Sequence, residues 1–294
     1  MSKLLFLFLF IVNVCSGQLP DTDLWLFSIK NEKEKLSLLK GENITNRPGY
    51  DNQPAFSNDD KSIYYVSIRE DKQSDIYTYL ISNKKSIPFT KSKESEYSPT
   101  LISGGLLIAC VTVLEDSSQV IHALNKKDAS LSYYPDRKFE DRQLNSFDSV
   151  GYFTFLNADT ILYYKLTQPH SLRARSLKKG TDVFIAESPV RGFKAINRNQ
   201  FIYGIKDSSK VAYYKYDCIL HKAFKYCDYN SLSEDIIWHK DMGLLKSEGA
   251  TILQYDEKQQ KWNMLLDFSS YGIKKITRFV FDSQTKKIVI VNNI

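Results

Sequence analysis

Residues 44–90, ITNRPGYDNQPAFSNDDKSIYYVSIREDKQSDIYTYLISNKKSIPFT, decide the fold. Four short strand signals follow one another there, at 54–57, 62–69, 75–82 and 86–90. The runs Asn58-Asp59-Asp60-Lys61, Glu70-Asp71-Lys72 and Asn83-Lys84-Lys85 separate them as turns. Aromatic and β-branched residues alternate with polar ones inside each signal, which suits a pleated strand. A unit of four short strands, recurring every ~40 to 50 residues, is the pattern of one propeller blade.

Worn copies of this unit fill the rest of the chain. Strand signals at 97–102, 106–114, 119–125 and 131–135 make a second unit. Those at 150–156, 160–167, 171–177 and 182–187 make a third, and those at 190–196, 200–206, 210–217 and 223–228 a fourth. Signals at 235–240, 243–246, 251–256 and 262–268 complete a fifth. Only two strands remain after that, 276–281 and 287–291, and the missing pair lies at the other end of the chain, at 23–29 (DLWLFSI) and 35–39. The sequence therefore predicts an all-β, six-bladed propeller whose last blade is closed by the N-terminal strands. An open two-sheet sandwich is the competing architecture, but it does not call for a matching half-unit at each terminus. Closure of this kind hides two sheet edges.

With 19 Tyr and 17 Phe in 294 residues, the composition favours strands. Twelve Gly and eight Pro are few for a turn-rich chain, so Asn, Asp, Lys and Ser fill the turns. Asn and Asp are expected to take the left-handed backbone that Gly would otherwise supply.

Met1-Ser2-Lys3 and the apolar run after it read as a secretory leader over 1–17, with cleavage after Gly17 and a single propeller domain over 18–294. The apolar run is too short to span a bilayer, so no transmembrane span is expected. The alternative is a lipid anchor at Cys15, which lacks the small residue normally found just before such a cysteine. Export leaves Cys110, Cys218 and Cys227, an odd number that rules out a complete disulfide framework. Cys218 and Cys227 flank one hairpin, either as a staple or as two independent thiols, and Cys110 reads as core. The formal net charge of +6 comes from lysines spread through turns, with no concentrated basic stripe of the kind nucleic-acid binding needs.

The first unit resembles the TolB-type propeller repeat, through Pro54, Phe56, Ser57, Asp59, Ile63, Tyr65, Asp75, Ile76, Tyr77 and Thr90. Asn58 and Asp60 depart from the Pro and Gly of that pattern. The strings ITNRPGYDNQPAF, TKSKESEYSPTL, VGYFTFL, SEDIIW and GIKKITRFVF also resemble exported TolB-like propellers of unassigned function. The resemblance implies a periplasmic or secreted protein, associated with the outer membrane in some forms, that binds an envelope protein or peptide without catalysis. Fold-level likeness is a poor warrant for function.

In a propeller the innermost strands line a central channel, and the segments just before them meet at one mouth. Here those segments hold Arg47, Tyr50, Asp51, Gln53, Glu94, Glu96, Tyr97, Tyr152, Arg191, Glu234, Asp235 and Arg278. With Asp148 added, acids outnumber bases, so an acidic mouth with tyrosine walls is expected as a docking site. Turn capping and inter-unit ion pairing are the plainer role for the same charges. Asp51, Glu96 and Glu234 are the candidates for an oxygen-ligated Ca²⁺, although no D-x-D-x-D-G loop is present and no bound cofactor is expected. His122, His170, His221 and His239 are too scattered for a metal motif, and G-x-S-x-G and Gly-rich phosphate loops are absent. A hydrolase or lyase working from the mouth with carboxylates or Ca²⁺ is the alternative function. Trp25, Trp238 and Trp262 fall inside strand patterns and read as packing.

Overall fold

The computed structural model describes residues 19–32, 35–102, 105–127, 129, 131–132, 147–230 and 234–294. The leader at 1–17, with Cys15, and the tail of the expected strand at 131–135 lie outside them. The first unit forms β3 (Tyr50–Phe56), β4 (Ser62–Ile68), β5 (Ser74–Leu80) and β6 (Lys85–Pro88). The second forms β7 (Ser95–Leu101), β8 (Leu107–Val113), β9 (Gln119–Asn125) and β10 (Leu131–Ser132). The third forms β11 (Val150–Phe155), β12 (Thr160–Lys165), β13 (Ser171–Ser176) and β14 (Asp182–Glu187). The fourth forms β15 (Pro189–Asn197), β16 (Gln200–Asp207), β17 (Lys210–Asp217) and β18 (Lys222–Tyr229). The fifth forms β19 (Ile236–His239), β20 (Gly243–Glu248), β21 (Thr251–Asp256) and β22 (Lys261–Asp267). The chain ends contribute β1 (Thr22–Glu32), β2 (Lys35–Asn43), β23 (Ile276–Phe281) and β24 (Lys287–Asn293). Each unit is an antiparallel meander of short strands, and no α-helix occurs among the described residues.

The two ends of the chain share a sheet. β1 pairs antiparallel with β24 from Thr22↔Asn293 to Ser28↔Lys287, and β24 pairs onward with β23. β2 pairs with the other edge of β1, giving the order β23-β24-β1-β2. One parallel pair, Thr22↔Tyr50, then joins this group to β3 and the first unit. No sheet among the described residues closes on itself. The first strands of consecutive units lie side by side: β3 with β7, β7 with β11, β11 with β15, β15 with β19, β19 with β23, and β23 with β3.

Packing follows from alternation. The second strand of each unit is buried on both faces, as the run Ile63, Tyr64, Tyr65, Val66 in β4 illustrates. Their side chains form apolar layers between neighbouring sheets rather than one central mass. Leu172, Phe193, Phe201 and Tyr203 fill the layer between the third and fourth units. Phe27, Leu245, Phe268 and Ile290 fill the one between the fifth unit and the sheet of the chain ends. Trp25, Trp238 and Trp262 each pack against such a layer. Cys110 is fully buried in another.

Of the two readings left open for the hairpin cysteines the independent thiols hold, and one expectation about the turns is corrected. Cys218 and Cys227 are free thiols. Cys227 sits opposite Tyr213 in the β17–β18 ladder, whereas Cys218 lies five residues further along, beyond Asp217. At a rise of ~3.3 Å per residue that is about 16 Å, well past the ~7 Å reach of a disulfide. The left-handed turn positions also fall mainly to other residues than Asn and Asp. Asn46 and Asp60 take positive φ, but so do Ser98, Ser117, Ser149, Ser188, Ser208, Lys72, Lys84 and Thr285. In the first-unit turn Asp60 adopts φ 56°, and the Asp59 carboxylate accepts from Ser57 Oγ at 2.6 Å and Lys61 N at 3.2 Å. The carboxylate next to the left-handed residue holds the turn.

The inner strands are irregular where they face the middle. β3, β7, β11, β15 and β23 each carry a register shift against their neighbour, between Asn52 and Ala55 in β3 and between Tyr97 and Thr100 in β7. Such bulges re-aim side chains and bend the strand. Gln53 and Ser98 occupy matching bulges with φ 56° and 55°, and Ser98 N donates to Gln53 Oε1 at 2.5 Å across the gap between their units.

Candidate functional site

A cavity of about 140 Å³ lies where the first strands converge. β3 supplies Gln53 to its wall, β7 Ser98, β11 Tyr152, β15 Arg191 and Lys194, and β23 Arg278, with Asp235 from the segment before β19. Tyr50 stands within electrostatic reach of Arg278, Tyr152, Tyr97 and Arg191. The bulges bring these side chains inward, because regular alternation would send every second one into an inter-sheet layer.

Tyr152 organises the polar groups. The Arg191 guanidinium carbon lies 5.9 Å from its ring centre and that of Arg278 5.4 Å. Both distances fall within cation–π range. Arg191 donates from Nε to Glu234 Oε2 at 2.7 Å and from Nη1 to the Tyr152 hydroxyl at 3.5 Å. Half of the Arg191 side chain is exposed, so the pair with Glu234 belongs to the rim and contributes little stability. Asp235 accepts a hydrogen bond from Phe279 N at 3.1 Å. Burial pushes its carboxyl pKa up, while Arg278 and Lys194 oppose the rise. Burial likewise pushes the Lys194 ammonium pKa down, against the pull of Asp235. The Tyr50 phenol is pushed up to about 12, chiefly by burial. It therefore stays protonated at neutral pH and can donate.

The other expected site residues lie elsewhere. Arg47 and Asp51 form a clasp at the start of β3. Arg47 Nη2 donates to Asp51 Oδ1 at 2.9 Å, Ser67 Oγ at 2.7 Å and the Ile68 carbonyl at 2.8 Å. Asp51 is fully buried, and its pKa is raised by burial despite Ser67 and Arg47. Asp23 ties down the preceding loop, accepting from Asn43 Nδ2 at 2.6 Å and Thr45 Oγ1 at 3.0 Å. Glu94 and Glu96 line a second cavity, of about 380 Å³, beside Thr112 and His122 at the junction of the first and second units. Glu96 accepts from Thr90 Oγ1 at 3.0 Å and from Ser92 Oγ. Burial pushes its carboxyl up to about 7 against the pull of both hydroxyls, and Asp75 and Glu94 add to the rise. Burial also lowers the His122 pKa.

The acidic mouth is therefore corrected. Asp51 and Glu96 occupy equivalent ladder positions, opposite Ser67 and Thr112, and both are sequestered by local partners. Asp148 is held by Lys165 at 2.7 Å. What lines the central cavity is Arg191, Lys194 and Arg278 against Asp235, with Glu234 paired to Arg191 at the rim, a set with more positive than negative groups. The Ca²⁺ trio is not assembled either, since Asp51, Glu96 and Glu234 each lie with a separate partner. No group of three or more His, Cys, Asp or Glu side chains among the described residues is arranged to hold a metal. Sequence reasoning missed Lys194, whose signal was a lysine inside the otherwise apolar and small run Gly192-Phe193-Lys194-Ala195-Ile196 of an inner strand. No helix among the described residues is long and apolar enough to cross a membrane.

No known family matches the sequence, and no curated protein does so either. Solved structures match the fold closely in extent. A putative TolB from Agrobacterium tumefaciens aligns with a TM-score of 0.63 at 9% identity, over 94% of this chain and 99% of the other. XC5397 from Xanthomonas campestris, a gluconolactonase, aligns at 0.62 and 9%, over 90% and 94%. A chain of the nidogen/laminin complex aligns at 0.60 and 9%, over 92% and 98%. The protein is a β-propeller. One of these neighbours is an enzyme and another was captured in a protein complex, so the shared architecture leaves the choice of function to the site.

Proposed function

We propose that the chain is an exported, six-bladed propeller that docks an extended segment of an envelope protein or peptide at its central cavity, without catalysis. In this reading residues 1–17 are a leader, 18–294 form one domain, and the group β23-β24-β1-β2 is the sixth blade. The cyclic adjacency of the first strands and the pairing of β1 with β24 support the ring. The likeness to TolB supports the class of partner only as an analogy of fold.

The observation that carries docking is the convergence of inner strands from every unit on one small cavity walled by tyrosine and charge. Such a cavity holds part of a ligand and leaves the rest on the rim. A photo-crosslinking residue in place of Tyr97 should label one discrete partner in envelope extract, and the label should fall when Tyr152 becomes Ala. The same residue in place of Phe224, on the outer strand β18, should not label that partner. Equal labelling from both positions would sink the docking reading.

The alternative is a hydrolase or lyase acting from the same cavity. It draws on one feature, the raised carboxyl of Asp235 between Arg278 and Lys194, which could exchange a proton. Turnover of an ester, lactone or uronate panel that disappears in Asp235→Asn would favour it.

A further inference from the structure

We propose that the central cavity is a carboxylate receptor, in which Arg278 takes the acidic side chain of the docked segment. This deepens the docking reading above and rests on it.

The charge balance points to an anion. Arg191, Lys194 and Arg278 set three positive groups against the two negative ones of Glu234 and Asp235. Arg191 and Glu234 are matched at 2.7 Å. Asp235 turns one oxygen to Phe279 N, and neither Arg278 nor Lys194 has a carboxylate oxygen within 4 Å among the described residues. One positive charge is left over. That surplus suits a carboxylate, with its single negative charge, better than a phosphate monoester carrying about −1.5 to −2 at neutral pH.

Geometry adds to charge. Arg278 and Arg191 both face the Tyr152 ring, at 5.4 and 5.9 Å. Like charges brought near one another in a confined, partly dry space repel, and an anion placed against them relieves that cost. A guanidinium presents its donors as a planar fork that matches the two oxygens of a carboxylate. The Tyr50 hydroxyl, kept protonated, is a further donor close by. The volume, about 140 Å³, also limits the guest.

The test titrates the whole mature protein with acetyl-Ala-Glu-Ala-amide, its Gln counterpart and inorganic phosphate, at low salt, following the Arg278 Nε–H resonance by NMR. The Glu peptide should bind saturably, at least ten times more tightly than the Gln peptide and than phosphate. Arg278→Gln should abolish the preference, Arg278→Lys should restore part of it, and Lys222→Gln on the outer strand should leave it intact. Thermal melts of each variant separate lost binding from lost folding. Equal binding of the two peptides, binding unchanged in a folded Arg278→Gln protein, tighter phosphate binding, or no binding because Asp235 satisfies Arg278 internally would each overturn the carboxylate assignment. A Tyr97 crosslink obtained alongside any of those results would leave docking standing. Carboxylate preference without a crosslink would instead remove the docking partner and keep the receptor.

Discussion

Asp51 illustrates how a single buried charge can be structural. Its side chain is wholly excluded from solvent, and Arg47 is the cation that compensates it. Removing only the cation leaves a buried carboxylate without its charge partner, a loss of about 3 kcal/mol. Arg47→Met should therefore cost more in urea unfolding than Asp51→Asn, which removes the charge and keeps a polar group for Ser67. Glu96 gives a second test at this scale. It is 3% exposed and its carboxyl is raised from 4.5 to about 7, so folding favours the protonated form. The contribution is complete below about pH 4.5, where the acid is also protonated in the unfolded chain. It is lost as pH rises toward 7, by on the order of 3 kcal/mol. Glu96→Gln should flatten the stability profile between those values and raise Tm more at pH 8 than at pH 5.

At the scale of the strand, close approach decides composition. A Cβ on Gly192 would stand 2.2 Å from the Glu234 carbonyl oxygen and 2.8 Å from Ile236 Cγ1. The first of these is backbone of the neighbouring unit, so a side chain there must push β15 away from the segment leading into β19. Gly192→Ala should destabilise by about 3 kcal/mol, as overpacking against backbone does, and should weaken whatever the cavity binds, because Arg191 and Asp235 move apart. Strand positions were legible in the sequence, since period-two alternation and turn chemistry both mark them, and even the shared sheet of the chain ends announced itself in DLWLFSI. Orientation within the inner strands was not. A bulge flips the side-chain sense after it, and nothing local in Asn52-Gln53-Pro54 or Tyr97-Ser98-Pro99 states where the extra residue falls. Asp51 and Glu96, expected in the segments that precede the first strands, fall inside β3 and β7 opposite Ser67 and Thr112, and Lys194 was passed over. Charge sign at the mouth followed the same error, because it depends on which of two faces each acid takes.

For the whole molecule, stability rests on many thin layers between sheets rather than on one core. β24 is the strand that joins the most distant parts, lying between β23 and β1. Removing residues 287–294 takes away the ladders on both its sides and exposes Leu24 and Phe27, which are 0% accessible in the intact protein. The truncated chain should lose its cooperative thermal transition outright and bind a hydrophobic dye, whereas removing the exposed Ile294 alone should leave the melt unchanged.

The same pairing has a bearing on biogenesis. Thr22 leaves the ribosome 271 residues before its partner Asn293, by subtraction of their numbers. At roughly 5–20 residues per second this is a wait of about 15–50 s. Throughout that interval the earliest strand has one hydrogen-bonding edge with no native mate. Native assembly must then follow synthesis, and a chain held open for so long is in a form that a chaperone has time to grasp.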